Sequence, residues 1–189
     1  AVLKKAAGLD IQMLLPLHGF VWRQDLGYIL GKYDLWSRYE PEQRGVVIAY
    51  ASVYGGTENA ANILACRLRE QGVQVEMFDT SVTPVSYILA AAFRFSHVVL
   101  AAPTYNGGVF VTMENLLHDL TAHGLKGRRA AYIENGSWAP TSARGMQKLL
   151  EPLNWETAAD TVTLRSALRQ GQQEDLERMA MQLAESVKA

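Results

Sequence analysis

From Gly45 onward the apolar positions follow two alternating rhythms: short continuous runs, and longer stretches in which apolar side chains recur every third or fourth position. The first suits strands covered on both faces and the second suits amphipathic helices, so their alternation predicts strand–helix–strand units around a parallel sheet. The predicted strands cover residues 46–51, 73–78, 97–102, 130–134 and 157–164. The predicted helices cover 57–71, 84–93, 110–123, 143–150 and 173–187, the last with Leu176, Met179, Ala180, Leu183 and Val187 along one face. Right-handed crossovers and short connections reduce the topologies to an α/β fold with a doubly wound, five-stranded parallel sheet in the order 2-1-3-4-5, the middle of three α/β/α layers.

The opening segment has a different pattern. It predicts a strand over 11–15, a Pro16-Leu17-His18-Gly19 turn, and a helix over 24–39 that turns Leu26, Ile29, Leu30, Tyr33 and Trp36 inward and stops at Pro41. A polar joint, Glu40-Pro41-Glu42-Gln43-Arg44, then divides the chain into residues 1–43 and 44–189. The chain starts at Ala1-Val2-Leu3 without an initiator Met, as though inside an element, and is expected to be a piece of something longer.

A length of 189 residues allows one well-packed domain of about 140 residues with an appendage. With 49% hydrophobic and 20% charged residues the composition is globular. The 18 basic and 19 acidic side chains are interspersed, which disfavours nucleic acid and anionic membranes as partners. No apolar run approaches the ~20 residues of a membrane span. The single Cys66 cannot form an internal disulfide, so the cytoplasm is the expected compartment.

The chemistry is concentrated after three of the predicted strands. Ser52, Val53, Tyr54, Gly55, Gly56 and Thr57 form a hydroxyl-and-glycine loop that runs into a helix, where unpaired amides, the helix dipole and close backbone approach favour an anion. The loop contains neither the Gly-Lys-Ser/Thr of nucleoside triphosphate sites nor Gly-x-Gly-x-x-Gly, so a monophosphate held by neutral donors fits better. A plain helix cap by Ser52 or Thr57 is the alternative.

The third and fourth strands end in Pro103-Thr104-Tyr105-Asn106-Gly107-Gly108 and Asn135-Gly136-Ser137-Trp138. Each loop combines an aromatic residue, glycine and amide or hydroxyl groups, as a flat heteroaromatic ring with polar edges requires. Read singly, each could be an ordinary turn with a half-buried aromatic. In a 2-1-3-4-5 sheet, however, all three loops flank the switch point where such sheets bind ligands. Glu134 stands at the same edge, either facing the crevice or turned away into an ion pair. His97, His118 and His123 fit no catalytic pattern and are assigned structural or solvated roles.

These three segments, and above all Asn135-Gly136-Ser137-Trp138-Ala139-Pro140, resemble the flavodoxin-like module of flavodiiron proteins, also called A-type flavoproteins. The resemblance runs nearly end to end. It implies FMN held by Ser52, Val53, Tyr54, Gly55, Gly56 and Thr57 at the phosphate, and by Pro103, Thr104, Tyr105, Asn106, Gly107, Gly108, Asn135, Gly136, Ser137 and Trp138 around the ring. It further implies that the flavin passes electrons to two irons that reduce O2 or NO, that the electrons come from rubredoxin or an NAD(P)H-dependent reductase, and that the parent is a head-to-tail homodimer. Residues 1–43 resemble the end of the family's β-lactamase-like domain, in which the histidine at the His18 position ligates iron. The His-x-Glu-x-Asp-His companions are missing from this chain, so no metal site is expected. The competing readings are a freestanding NAD(P)H-dependent FMN or quinone reductase and an interaction module that has lost its cofactor.

Overall fold

The computed structural model describes residues 2–6 and 8–189, which divide into two compact units, one up to Glu40 and one from Pro41 to Ala189. The first contains helix α1 (Val2–Ala6), a single antiparallel bridge between Leu14 and Trp22, and helix α2 (Leu26–Ser37). The strand expected over 11–15 is thus reduced to one residue pair, because Pro16 and the exposed Leu15 and Leu17 leave nothing for a longer ladder to pack on. No residue of α2 is buried, and Tyr33, expected to face inward, is exposed. His18 borders an apolar cleft of this unit together with Ile11, Leu14, Trp22, Ile29 and Leu30.

The second unit runs β1 (Gln43–Tyr50), α3 (Gly56–Glu70), β2 (Val75–Asp79), α4 (Val85–Arg94), β3 (Phe95–Tyr105), β4 (Gly108–Val109), α5 (Val111–Ala122), β5 (Arg129–Asn135), α6 (Ser142–Leu150), β6 (Glu156–Thr157), β7 (Val162–Leu164) and α7 (Gln170–Lys188). The main sheet is parallel in the order β2-β1-β3-β5-β6, with β7 also paired to β5, so the predicted order holds. β1 lies between β2 and β3, with Val46 opposite Val75 on one side and His97 on the other. Its residues from Val46 to Ala49 are completely buried, as strands covered on both faces must be. Val46 and Ile48 pack with α3 and α7, whereas Val47 packs with Ala91 of α4 and Phe95, which is the alternation of a pleated strand between two helical layers.

The fifth strand departs from expectation by breaking into β6 and β7. Asp160 interrupts it: its amide donates to Gln182 Oε1 at 2.9 Å, and its carboxylate accepts from Gln182 Nε2 at 2.9 Å. Aspartate is a poor strand residue, and here α7 supplies the partners the ladder would have offered. α7 also begins earlier than expected, at Gln170, because Gln172 folds back to accept the Arg169 amide at 2.9 Å.

Candidate functional site

The carboxyl ends of β1, β3, β5 and β7 open on one cleft of about 540 Å³. Such a position and volume are typical of ligand sites on open α/β sheets. From the first loop, Ser52, Val53, Tyr54, Gly56 and Thr57 line it. Gly55, outside the lining, is the left-handed N-cap of α3, and its amide donates to Ser52 Oγ at 3.1 Å. The first-turn amides of α3 have no intrahelical acceptors and carry the positive end of the helix dipole.

The second loop contributes Pro103, Thr104 and Tyr105. Asn106, Gly107 and Gly108 lie outside the lining: β3 and β4 form a hairpin with Tyr105 opposite Gly108, and Asn106 (φ 49°) and Gly107 (φ 73°) are its two turn residues. Two consecutive left-handed residues define the turn that matches strand twist, for which Asn-Gly is the preferred pair. The hairpin brings Phe110 into the lining, edge-on to the Tyr105 ring with centroids 5.6 Å apart. Thr104 Oγ1 accepts from the amides of Thr141 (2.8 Å) and Ser142 (3.1 Å), so it also caps α6.

Asn135, Gly136 and Ser137 line the cleft from the third loop, while Trp138 is 86% exposed and outside it. Glu134 turns away from the cleft. Its carboxylate accepts from the Ala143 amide at 3.1 Å and the Thr163 hydroxyl at 2.9 Å, bracing the start of α6 against β7 rather than joining an ion pair. A fourth segment, Ser166 and Ala167 after β7, completes the wall and was not anticipated from sequence. Its position after the strand beside β5 was the available signal, but Arg165-Ser166-Ala167 carries no glycine or aromatic to mark it.

No lining residue is charged, so the cleft is a neutral set of hydroxyls, amides and aromatic faces. Beside it, burial first and then the Glu58 and Asp79 carboxylates raise the pKa of the Tyr50 phenol, which stays protonated. Of the histidines, His97 is buried far from the cleft, with Nδ1 2.8 Å from Ser96 Oγ and Nε2 2.9 Å from Ser186 Oγ. Among the described residues, no group of three or more His, Cys, Asp or Glu side chains is placed to hold a metal, and no helix is long and apolar enough to cross a membrane.

No family model matches the chain. A nitric oxide reductase of Moorella thermoacetica is 29% identical over 76% of this chain and 35% of its own length. A rubredoxin-oxygen oxidoreductase of Megalodesulfovibrio gigas is 23% identical over 97% of this chain and 46% of its own length. The chain therefore spans less than half the length of these relatives. Among solved structures, the rubredoxin oxygen:oxidoreductase of Desulfovibrio gigas superposes with a TM-score of 0.89 at 22% identity, covering 98% of this chain and 46% of that one. The flavodiiron protein of Giardia intestinalis gives 0.88 at 21% identity, covering 99% and 47%. A flavodoxin of Streptococcus pneumoniae gives 0.65 at 23% identity, covering 75% of this chain and 98% of its own. The relatives and structural neighbours of this chain thus include a nitric oxide reductase, rubredoxin-oxygen oxidoreductases, a flavodiiron protein and a flavodoxin, and its fold is flavodoxin-like.

Proposed function

We propose that the cleft binds FMN and that the chain is the electron-carrying part of a flavodiiron-type oxidoreductase. The observation that carries this reading is the chemistry of the lining: hydroxyls and free amides at the N-terminus of α3 on one side, and Tyr105, Phe110 and uncharged polar groups on the other. These donors suit one phosphate and one flat ring, and the neutral lining offers no lysine or arginine for a triphosphate. FMN supplies one- and two-electron chemistry, and the residues supply position and dielectric. Ser52, Gly56 and Thr57 hold the anion with hydroxyl and amide donors. Pro103, Thr104 and Tyr105 form one wall for the ring, and Gly136, Ser137 and Ser166 form the other.

In the parent protein we assign the electrons to a diiron centre that reduces O2 or NO, with rubredoxin or an NAD(P)H-dependent reductase as donor, head-to-tail pairing of subunits, and a cytoplasmic location. Support comes from the relatives, whose names record nitric oxide reductase and rubredoxin-oxygen oxidoreductase activities. Residues 1–43 are then the end of a β-lactamase-like domain and 44–189 the flavin domain. The absorption spectrum of the purified chain tests the reading, followed by mass analysis of any chromophore released on unfolding. Flavin bands and the mass of FMN are expected. A protein that stays colourless in excess FMN would refute it, and rapid bleaching by NADPH alone would assign the chain to the freestanding reductases instead.

A further inference from the structure

Asn135 belongs to the loop that the flavin reading places against the ring, yet the residue is only 7% exposed and both of its side-chain N–H donors are used within the protein. Oδ1 accepts from the Ser166 amide at 2.9 Å. Nδ2 donates to the Ser166 carbonyl at 2.9 Å and to Thr57 Oγ1 at 3.2 Å. A side-chain amide has two N–H donors, and both are used.

The backbone of Ser166 removes the usual ambiguity about which end of the amide is which. A peptide N–H can only donate and a peptide carbonyl can only accept, so the oxygen must face the Ser166 amide and the nitrogen its carbonyl. The nitrogen then faces Thr57, whose oxygen is forced into the role of acceptor. A hydroxyl that accepts from Asn135 keeps its own proton for another partner, and Thr57 has no second partner among the described residues. Thr57 occupies the first turn of α3 and lines the cleft, so that proton is directed to the place where an anion meets the α3 amides.

We propose that Asn135 is a positioning residue: it does not bind the flavin but sets Thr57 as a hydrogen-bond donor to the flavin's phosphate, and it locks the loop after β7 to the loop after β1. This rests on the FMN reading above. The site therefore discriminates the phosphorylated from the unphosphorylated flavin through a residue that donates no hydrogen bond to either.

Titrations of the apoprotein with FMN and with riboflavin test the assignment in the wild type, Asn135→Ala, Thr57→Val and the double variant. N135A and T57V are each expected to weaken FMN binding about tenfold, the worth of about one hydrogen bond to a charged group, with riboflavin binding within about twofold of wild type in T57V and weakened less than FMN binding in N135A. The double variant should bind FMN no more weakly than the worse single one, because both remove the same bond. Additive losses, or riboflavin losing as much as FMN, would overturn the proposal. Should N135A fail to fold, the unmodified protein decides: spectra of the ¹⁵N-labelled FMN complex should show no through-bond coupling from the Asn135 side-chain nitrogen to phosphorus, and observing one would overturn it. A wild type that binds neither flavin would sink the FMN reading itself, an outcome distinct from any of these.

Discussion

Replacing Gly56 by alanine tests how tightly the loops of the cleft are assembled. A Cβ built at this position would lie 2.3 Å from the Ser166 carbonyl oxygen and 3.2 Å from Asn135 Nδ2. An ordinary carbon–oxygen contact is about 1 Å longer than the first of these, so either α3 or the loop after β7 must retreat by that amount. Neither can do so freely. The Ser166 carbonyl is already held by Asn135 Nδ2, and Ser166 itself has a left-handed φ of 66°, which leaves little room to relax. Overpacking against fixed backbone costs about 1–3 kcal/mol, and G56A should lose that much in urea denaturation. FMN affinity should fall with it, because the displaced groups are those that meet the phosphate and because positioning errors near 1 Å are expensive at such sites. Gly55→Ala is the control that separates steric from conformational effects: a Cβ there meets nothing within 4 Å, but φ is +82°, so only backbone strain is added. G56A with stability within about 0.5 kcal/mol of wild type and unchanged FMN affinity would refute the close approach.

Acid should expose the burial of His97. Its pKa is lowered from 6.5 to about 4, by burial first and then by the Arg129 and Arg44 cations, so below pH 6.5 the unfolded chain takes up a proton that the folded chain refuses. The stability this group contributes is complete above pH 6.5 and is lost as pH falls toward 4, by about 3 kcal/mol in all; the advantage of wild type over His97→Gln should shrink by that amount between pH 7 and 4, and parallel urea profiles would count against it. Tyr105→Ala should move the flavin midpoint potentials more than it moves folding stability, since the ring is half exposed but walls the cleft; superimposable midpoints in spectroelectrochemistry would contradict this. Arg128→Leu should cost about 3 kcal/mol in thermal or chemical unfolding, because the buried guanidinium donates to the Ala92 carbonyl at 2.8 Å and the Phe93 carbonyl at 2.6 Å at the end of α4, and leucine removes these donors; a loss below about 1 kcal/mol would disprove the role.

The amino-acid sequence was sufficient for the architecture of the second unit. Runs such as Val46-Val47-Ile48-Ala49 suit strands covered on both faces, and stretches such as 173–187 suit helices with one buried face, and connection rules then narrow the sheet orders to the one observed. The loops that meet at the cleft were legible for the same reason: the strand order decides which carboxyl ends are neighbours. Pairwise chemistry across long sequence separations was not legible. Asp160 breaks a strand because Gln182, far along the chain, offers better partners than the ladder, and no local pattern reveals that. Asn106, Gly107 and Gly108 read as a ligand loop, but the two left-handed turn residues fold into a hairpin that carries them out of the cleft and brings Phe110 in. Trp138 read as a wall and stands in solvent, whereas Ser166 carried no signal and forms part of the wall. Local periodicity encodes which face of each element is apolar, and that determines the fold. Which polar atoms pair inside the cleft depends on distances of about 3 Å between residues dozens of positions apart, and only packing in three dimensions decides them.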